Sequence, residues 1–234
     1  MVTKRKLTYD IINTIRGGKQ SDDENISHRQ VGFWIDNTRS LLIRRDLEKG
    51  RSVNPDLIQT ICSEVIEVDA AECGCLTAGC TILRTKEKIP TALEVHNKNM
   101  IMRVGPAVVG STPFSFISYE RAQFSGNNKY TKHITKAFLH NGYIYLIGDS
   151  SKLKFLKYIA IDLVMEYPEE AANFQFCDTN EPCYTVDSTY PISAWMIEPL
   201  KEMIFNLNVR LAASAPTDNQ GNAEHDVEPN VPKS

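Results

Sequence analysis

The sequence has no apolar run near the roughly 18 residues that a membrane-spanning helix needs, so no membrane partner is expected. It also lacks a signal-peptide core. The basic start Met1-Val2-Thr3-Lys4-Arg5-Lys6 is followed by no long apolar stretch and no cleavage site. The expectation is a protein made and kept in a cytoplasm, or released from it by lysis. Its body has no excess of either charge. The formal net charge is -3, and from Ser214 onward Asp218, Glu224, Asp226 and Glu228 face Lys233 alone. The tail therefore carries the whole imbalance, and residues 1–213 sum to zero. A protein whose main work is gripping phosphates needs a basic field, which this body does not have. Local contact with passing DNA is still compatible with it. There are six cysteines in 234 residues. Without a signal peptide, a disulfide framework is not expected in a chain of this length.

Catalytic motifs are missing as well. None of His28, His96, His133, His140 and His225 sits in an H-E-x-x-H context or near a G-x-S-x-G elbow. Gly17-Gly18-Lys19 suggests a phosphate loop, but Asn13 stands where the Walker pattern needs its first glycine. A helix also precedes it, where a strand should. Ser151 and Lys154 match S-x-x-K only at chance level, and no two acids stand out as a general acid/base couple. The reading is no enzyme and no cofactor.

What is present is a mixed pattern, assigned to the α+β class. A length of 234 residues means one large domain or a domain with long arms, and 42% hydrophobic residues suffice for a core. Leu7, Ile11, Ile12 and Ile15 share one face of a helix over Leu7–Arg16, stopped by Gly17-Gly18. Ser27 and Gln30 form a capping-box pattern opening a second helix. Along it Val31, Trp34, Ile35, Thr38, Leu41 and Leu42 keep helical spacing, Arg39, Arg44, Asp46, Glu48 and Lys49 take the opposite face, and Gly50 ends it. Asn54-Pro55 predicts a short third helix. From Ser63 the texture is β, with strand candidates at 64–69, 81–84, 93–96, 100–104, 114–119 and 155–167. Asn141-Gly142 between two β-rich runs predicts a tight hairpin over 137–147. Residues 169–174 read as one or two helical turns. Pro199 predicts a fresh helix start there, running to about Ala213, with any helix over 193–197 separate or kinked. Its apolar stripe is Leu200, Met203, Ile204, Leu207 and Leu211. The organisation is an N-terminal helical segment (1–62), a β-rich domain (63–190), a C-terminal helical arm (191–213) and a disordered tail (214–234).

Two clusters have a functional alternative. Cys73-Gly74-Cys75 and Cys80, with Cys62 and His96 nearby, hold enough ligands for zinc, but the spacing is not that of paired C-x2-C knuckles. Thiols around a glycine-rich loop are the preferred reading, and reduced loop cysteines are preferred for Cys177 and Cys183. No metal is expected; the alternative is a cysteine/zinc-containing nucleic-acid-binding or regulatory module. Lys129, Lys132 and Lys136, with His133 beside them and aromatics interleaved, form a possible DNA- or partner-facing basic patch. Lysines guarding a sheet edge are the preferred reading, given the neutral body.

Several stretches carry a resemblance. They are Leu7-Thr8-Tyr9-Asp10-Ile11-Ile12, Arg16-Gly17-Gly18, Leu42-Ile43-Arg44-Arg45-Asp46-Leu47-Glu48-Lys49-Gly50-Arg51 and Cys80-Thr81-Ile82-Leu83-Arg84-Thr85. Lys88-Ile89-Pro90, Phe116-Ile117-Ser118-Tyr119-Glu120-Arg121, Phe138-Leu139-His140-Asn141-Gly142 and Met196-Ile197-Glu198-Pro199-Leu200 continue it. Over nearly 5–213 the chain resembles virion structural proteins of crAss-like phages, similar to the adaptor rings below the portal of other short-tailed phages. The resemblance implies a head-to-tail connector ring, a homo-oligomer expected to be a dodecamer, in the neck or tail of the virion and assembled in the host cytoplasm. Its implied partners are itself, the portal protein, adjacent tail ring proteins and, transiently, genomic DNA during ejection. The C-terminal stripe, Leu200 to Leu211, is the expected assembly interface; the alternative is that it packs on the chain's own sheet.

Overall fold

In the computed structural model, the residues described are 2–17, 26–70, 80–108, 110–125, 131, 133–149 and 153–209. Two helices open the chain, α1 (Lys4–Ile15) and α2 (His28–Glu48). Each starts from a side chain that satisfies one of the free first-turn donors. Thr3 Oγ1 accepts from the Lys6 N–H at 3.2 Å, and Ser27 Oγ accepts from the Gln30 N–H at 3.1 Å. Gly50 closes α2 at φ +77°, where a side chain would be strained. Asn54 then caps a 3₁₀ turn, Pro55–Leu57, accepting from the Asp56 N–H at 3.0 Å.

That turn feeds the sheet, which begins at Gln59. The strands are β1 (Gln59–Asp69), β2 (Thr81–Thr85), β3 (Glu94–Val95), β4 (Lys98–Asn99), β5 (Ile101–Pro106), β6 (Ser115–Phe116), β7 (Lys136–His140), β8 (Tyr143–Ile147) and β9 (Tyr158–Leu163). β3 and β4 make a small hairpin of their own. The other seven form one sheet in the order β5-β9-β1-β2-β8-β7-β6, antiparallel except for β6 with β7. The segment around β6 ties the two sides of this sheet together. Phe114 N–H donates to Val104 of β5 at 2.7 Å, and Ile117 N–H donates to Ala137 of β7 at 2.9 Å. The sheet thus curls into a barrel-like form and leaves few open edges.

Register explains what fills it. Ile61 pairs with Ile161, and Ile161 pairs with Val104; Leu83 pairs with Leu146, and Leu146 with Ala137. Directly opposed residues share a face, and all of these except the half-buried Leu83 are buried. Thr85, also inside, accepts from the Ile144 N–H at 3.2 Å, so its hydroxyl is satisfied. The β7–β8 turn is the one the sequence predicts. Asn141 and Gly142 have φ of +51° and +82°, both in the left-handed region that a two-residue hairpin turn requires. Two expected strands are shorter than their sequences suggest. Of 114–119 only Ser115–Phe116 pairs, because Ser118 and Tyr119 turn into a one-turn helix, α3 (Tyr119–Ala122). Of 155–167 only β9 joins the sheet; residues 153–157 form a turn held by Leu153 and Leu156. A 3₁₀ helix, Pro168–Asn173, supplies the predicted helical turns.

The C-terminal helix differs most from expectation. A 3₁₀ turn, Ala194–Met196, precedes α4 (Ile197–Met203), with Pro199 inside its first turn. The chain then widens into a π-helix, Ile204–Val209. In that wider spiral the residue five places on, not four, lies beneath its predecessor. Val209 therefore joins Ile204 against the core, whereas an α-helix would have put Asn208 there. The same widening turns Leu207 outward to 51% exposure. Ser214 onward lies outside the described residues.

The cysteines also correct the sequence reading. Cys62 and Cys177 are joined by a disulfide across 115 positions, with Cα atoms 5.3 Å apart, although reduced cysteines were expected. The cause is a local hairpin. Cys183 N–H donates to Phe174 and Phe176 N–H to Glu181, both at 2.8 Å, and Gln175 bridges both Pro182 and Cys62. This lays Cys177 beside β1; Cys183 keeps a free thiol. Closing so long a loop restrains the unfolded chain, an effect of about 2–5 kcal/mol. Reduction should lower the urea midpoint of the purified protein, and Cys177→Ser should match the reduced wild type.

Candidate functional site

Helix α2 places Asp36, Arg39, Ser40 and Arg44 at helical spacing on one side, and each of the four makes a long-range polar contact. Asp36 accepts from Lys4 Nζ and from Tyr190 Oη, each at 2.7 Å. Lys4 also reaches Glu169 Oε1 at 2.5 Å. Arg39 donates through Nε to the Pro191 carbonyl at 2.6 Å and through Nη1 to the Met165 carbonyl at 2.8 Å. Ser40 Oγ donates to the Glu166 carbonyl at 2.9 Å, and Arg44 Nη2 to Glu166 Oε1 at 2.7 Å. The Arg39 guanidinium lies beside the Tyr190 ring, 5.8 Å from its centroid. Arg39 was expected on the outward polar face; it is fully buried instead, 0% exposed. The segment leaving β9 and the stretch at 190–193 cover that side of the helix.

Burial sets the electrostatics of this seam. Loss of water raises the Asp36 carboxyl above its ordinary range, with the Lys4 ammonium and the Tyr190 hydroxyl pulling the other way. Burial likewise lowers the Arg39 guanidinium and raises the Tyr190 and Tyr184 phenols. Asp36 is occupied by two donors, so the arrangement holds three segments together.

The structure separates the residues of the expected interface. Leu200 and Ile204 are fully buried in the chain's own core, which corrects their assignment to an open assembly face. They pack beside α2, and Lys201 of the same helix pairs with Asp10 of α1 at 2.6 Å. Met203 is half-buried with Arg45 near its sulfur, Leu207 is exposed, and Leu211 lies outside the described residues. In the basic patch, Lys136 Nζ is tied to the Ser125 carbonyl at 2.6 Å, which points it into its own loop. Lys129 and Lys132 lie outside the described residues, as do Cys73 and Cys75. Cys62 is committed to its disulfide and drops out of any zinc set. Among the described residues no group of three or more His, Cys, Asp or Glu is placed to hold a metal, and no helix is long and apolar enough to cross a membrane.

Sequence reasoning missed two surface features. One is a recess of about 570 Å³ between α1, α2 and the segments 167–170 and 186–187. Tyr9, Phe33 and Val186 stand exposed around it, at 47%, 55% and 62%. The other is the turn before β9, where Phe155 is 85% exposed. Phe33 interrupts the polar face of a helix, which is a usable signal; Phe155 was read as part of a strand.

The fold defines a mixed α+β protein, a large curled sheet with a helical layer against it. A family model described as phage tail ring protein 2 matches residues 6–227, and the chain belongs to this family of crAss-like phage proteins. It is thus a structural component of a phage tail ring. No curated protein matches the chain.

Arg39 gives a direct test of the seam. Arg39→Ala leaves two buried carbonyls without a donor and should cost about 3–5 kcal/mol in chemical denaturation. Arg39→Lys should recover little, since one ammonium does not reproduce the planar fork that serves both carbonyls.

Proposed function

We propose that the chain forms a closed ring of identical copies, a dodecamer, which connects the portal to the tail and contributes to the wall of the DNA channel. It acts without catalysis, is assembled in the host cytoplasm and passes the genome during ejection. The observation that carries this reading is the family match over residues 6–227. The neutral body supports the channel part. Residues 1–213 sum to zero charge, so phosphates slide past without being held. Purified protein imaged alone and with portal should give closed twelve-fold rings, and DNA affinity should be weak and fall steeply with salt. Nanomolar, sequence-selective binding at physiological salt would sink the channel reading.

The exposed remainder of the C-terminal stripe, Leu207 with Met203 beside it, is proposed to dock on the portal or an adjacent ring. Leu207→Asp should leave the melting temperature of the subunit unchanged, because the side chain is already half in water. Docking in a pull-down with portal should be lost. A variant that docks normally removes the stripe from the contact.

A further inference from the structure

The recess and the Phe155 turn lie at opposite ends of one strand. Phe155 precedes β9 by three residues, and the recess wall at 167–170 follows β9 by four. Six extended residues separate the ends by about 20 Å. A chain therefore does not fill its own recess with its own Phe155, and Phe155 is 85% exposed.

The two surfaces are opposite in kind, a projecting aromatic ring between lysines and a recess with an apolar rim. Leu153 is buried and Leu156 half-buried, with Leu156 N–H bonded to the Leu153 carbonyl at 3.0 Å. The turn is thus anchored on both sides of a single projecting aromatic ring, flanked by exposed Lys154 and Lys157. The recess offers Tyr9, Phe33 and Val186 as an apolar rim. Its lining holds four carboxylates, Asp36, Glu169, Glu170 and Asp187, against three cations, Lys4, Arg5 and Arg29. The carboxylates most open to solvent are Glu169 and Asp187, whose side chains are 57% and 80% exposed although Lys4 and Arg5 lie beside them at 2.5 and 3.7 Å. A doubly cationic turn carrying an aromatic knob meets an apolar hole with a net negative lining. An aromatic side chain entering a pocket within a charged rim is the usual centre of a protein interface.

Rings need this kind of contact. A closed ring repeats a heterologous interface, in which one patch of each copy meets a different patch of the next. We propose that the Phe155 turn of one copy inserts into the α1–α2 recess of its neighbour, and that this knob-and-hole contact repeats around the ring. The proposal rests on the ring reading above and adds the residues that join the copies.

The two halves of the contact can be disabled separately. Phe155→Asp removes the knob, and Phe33→Asp spoils the hole; Val186→Asp is a second hole variant. All three positions are exposed, so each full-length variant should keep the wild-type melting temperature. By mass photometry each variant alone should be monomeric where the wild type forms rings. An equimolar mixture of Phe155→Asp and Phe33→Asp should form a dimer and stop, because one working knob meets one working hole and both outer surfaces are dead. If the single variants form rings like the wild type, or the mixture stays monomeric, this contact is overturned and the ring reading stands. A wild-type chain that stays monomeric at every concentration overturns the ring of copies itself, and the contact with it.

Discussion

The burial of one guanidinium organises much of this fold. Arg39 sits in the middle of α2 with no exposed surface, and a charge taken out of water that completely is costly unless it is hydrogen-bonded. Its two carbonyl partners, Met165 and Pro191, lie 126 and 152 positions away. Bonding Nε and Nη1 of Arg39 therefore requires the exit of β9 and the stretch at 190–193 to sit on the helix together, while Nη2 finds no partner among the described residues. Asp36 adds Lys4 and Tyr190 to the same assembly, and Arg44 adds Glu166 and the Glu94 carbonyl of β3. Apolar packing alone tolerates some sliding; directional bonds to fixed carbonyls do not. The seam thus sets how the helical layer sits against the barrel.

Much of the local structure was legible because local chemistry determines it. Ser27, Asn54 and Asn141-Gly142 act through hydrogen bonds or backbone angles within a few residues, and each appears where the sequence places it. The β-rich texture after Ser63 likewise marked most of the strands. What was not legible depends on distant partners. Arg39 reads as a surface arginine until the segment that covers it is known. The Cys62–Cys177 bond depends on a hairpin 115 positions downstream. The outward turn of Leu207 depends on a switch of helix type that the periodicity at Leu200, Met203 and Ile204 does not signal. The resemblance led to the right family, yet the stripe chosen as its interface holds two core residues.

The barrel restricts how copies can join. With its outer strands tied by Phe114 and Ile117, the main sheet offers little free ladder for a neighbour to extend. Contact must then run through side chains, and large apolar ones stand exposed at Tyr9, Phe33, Phe124, Phe155, Trp195 and Leu207. They occupy helices and turns, and Phe155 stands on a turn fixed by its buried neighbours.

The ends of the fold close on each other. Tyr190 N–H donates to the Val2 carbonyl at 2.9 Å, Thr3 bridges Thr189, and α1 pairs with α4 through Asp10 and Lys201. The ribosome makes α1 and α2 before much of the surface that buries them, which comes from residues 165 to 204. Until those emerge, Asp36 and Arg39 lack their downstream partners and Ile11, Ile35 and Ile43 lack much of their cover. Contacts of such long sequence separation form late in folding. The helical layer is therefore closed by chain made after it: without residues 165 to 204, Asp36 and Arg39 lose their downstream partners and α1 and α2 lose part of their apolar cover.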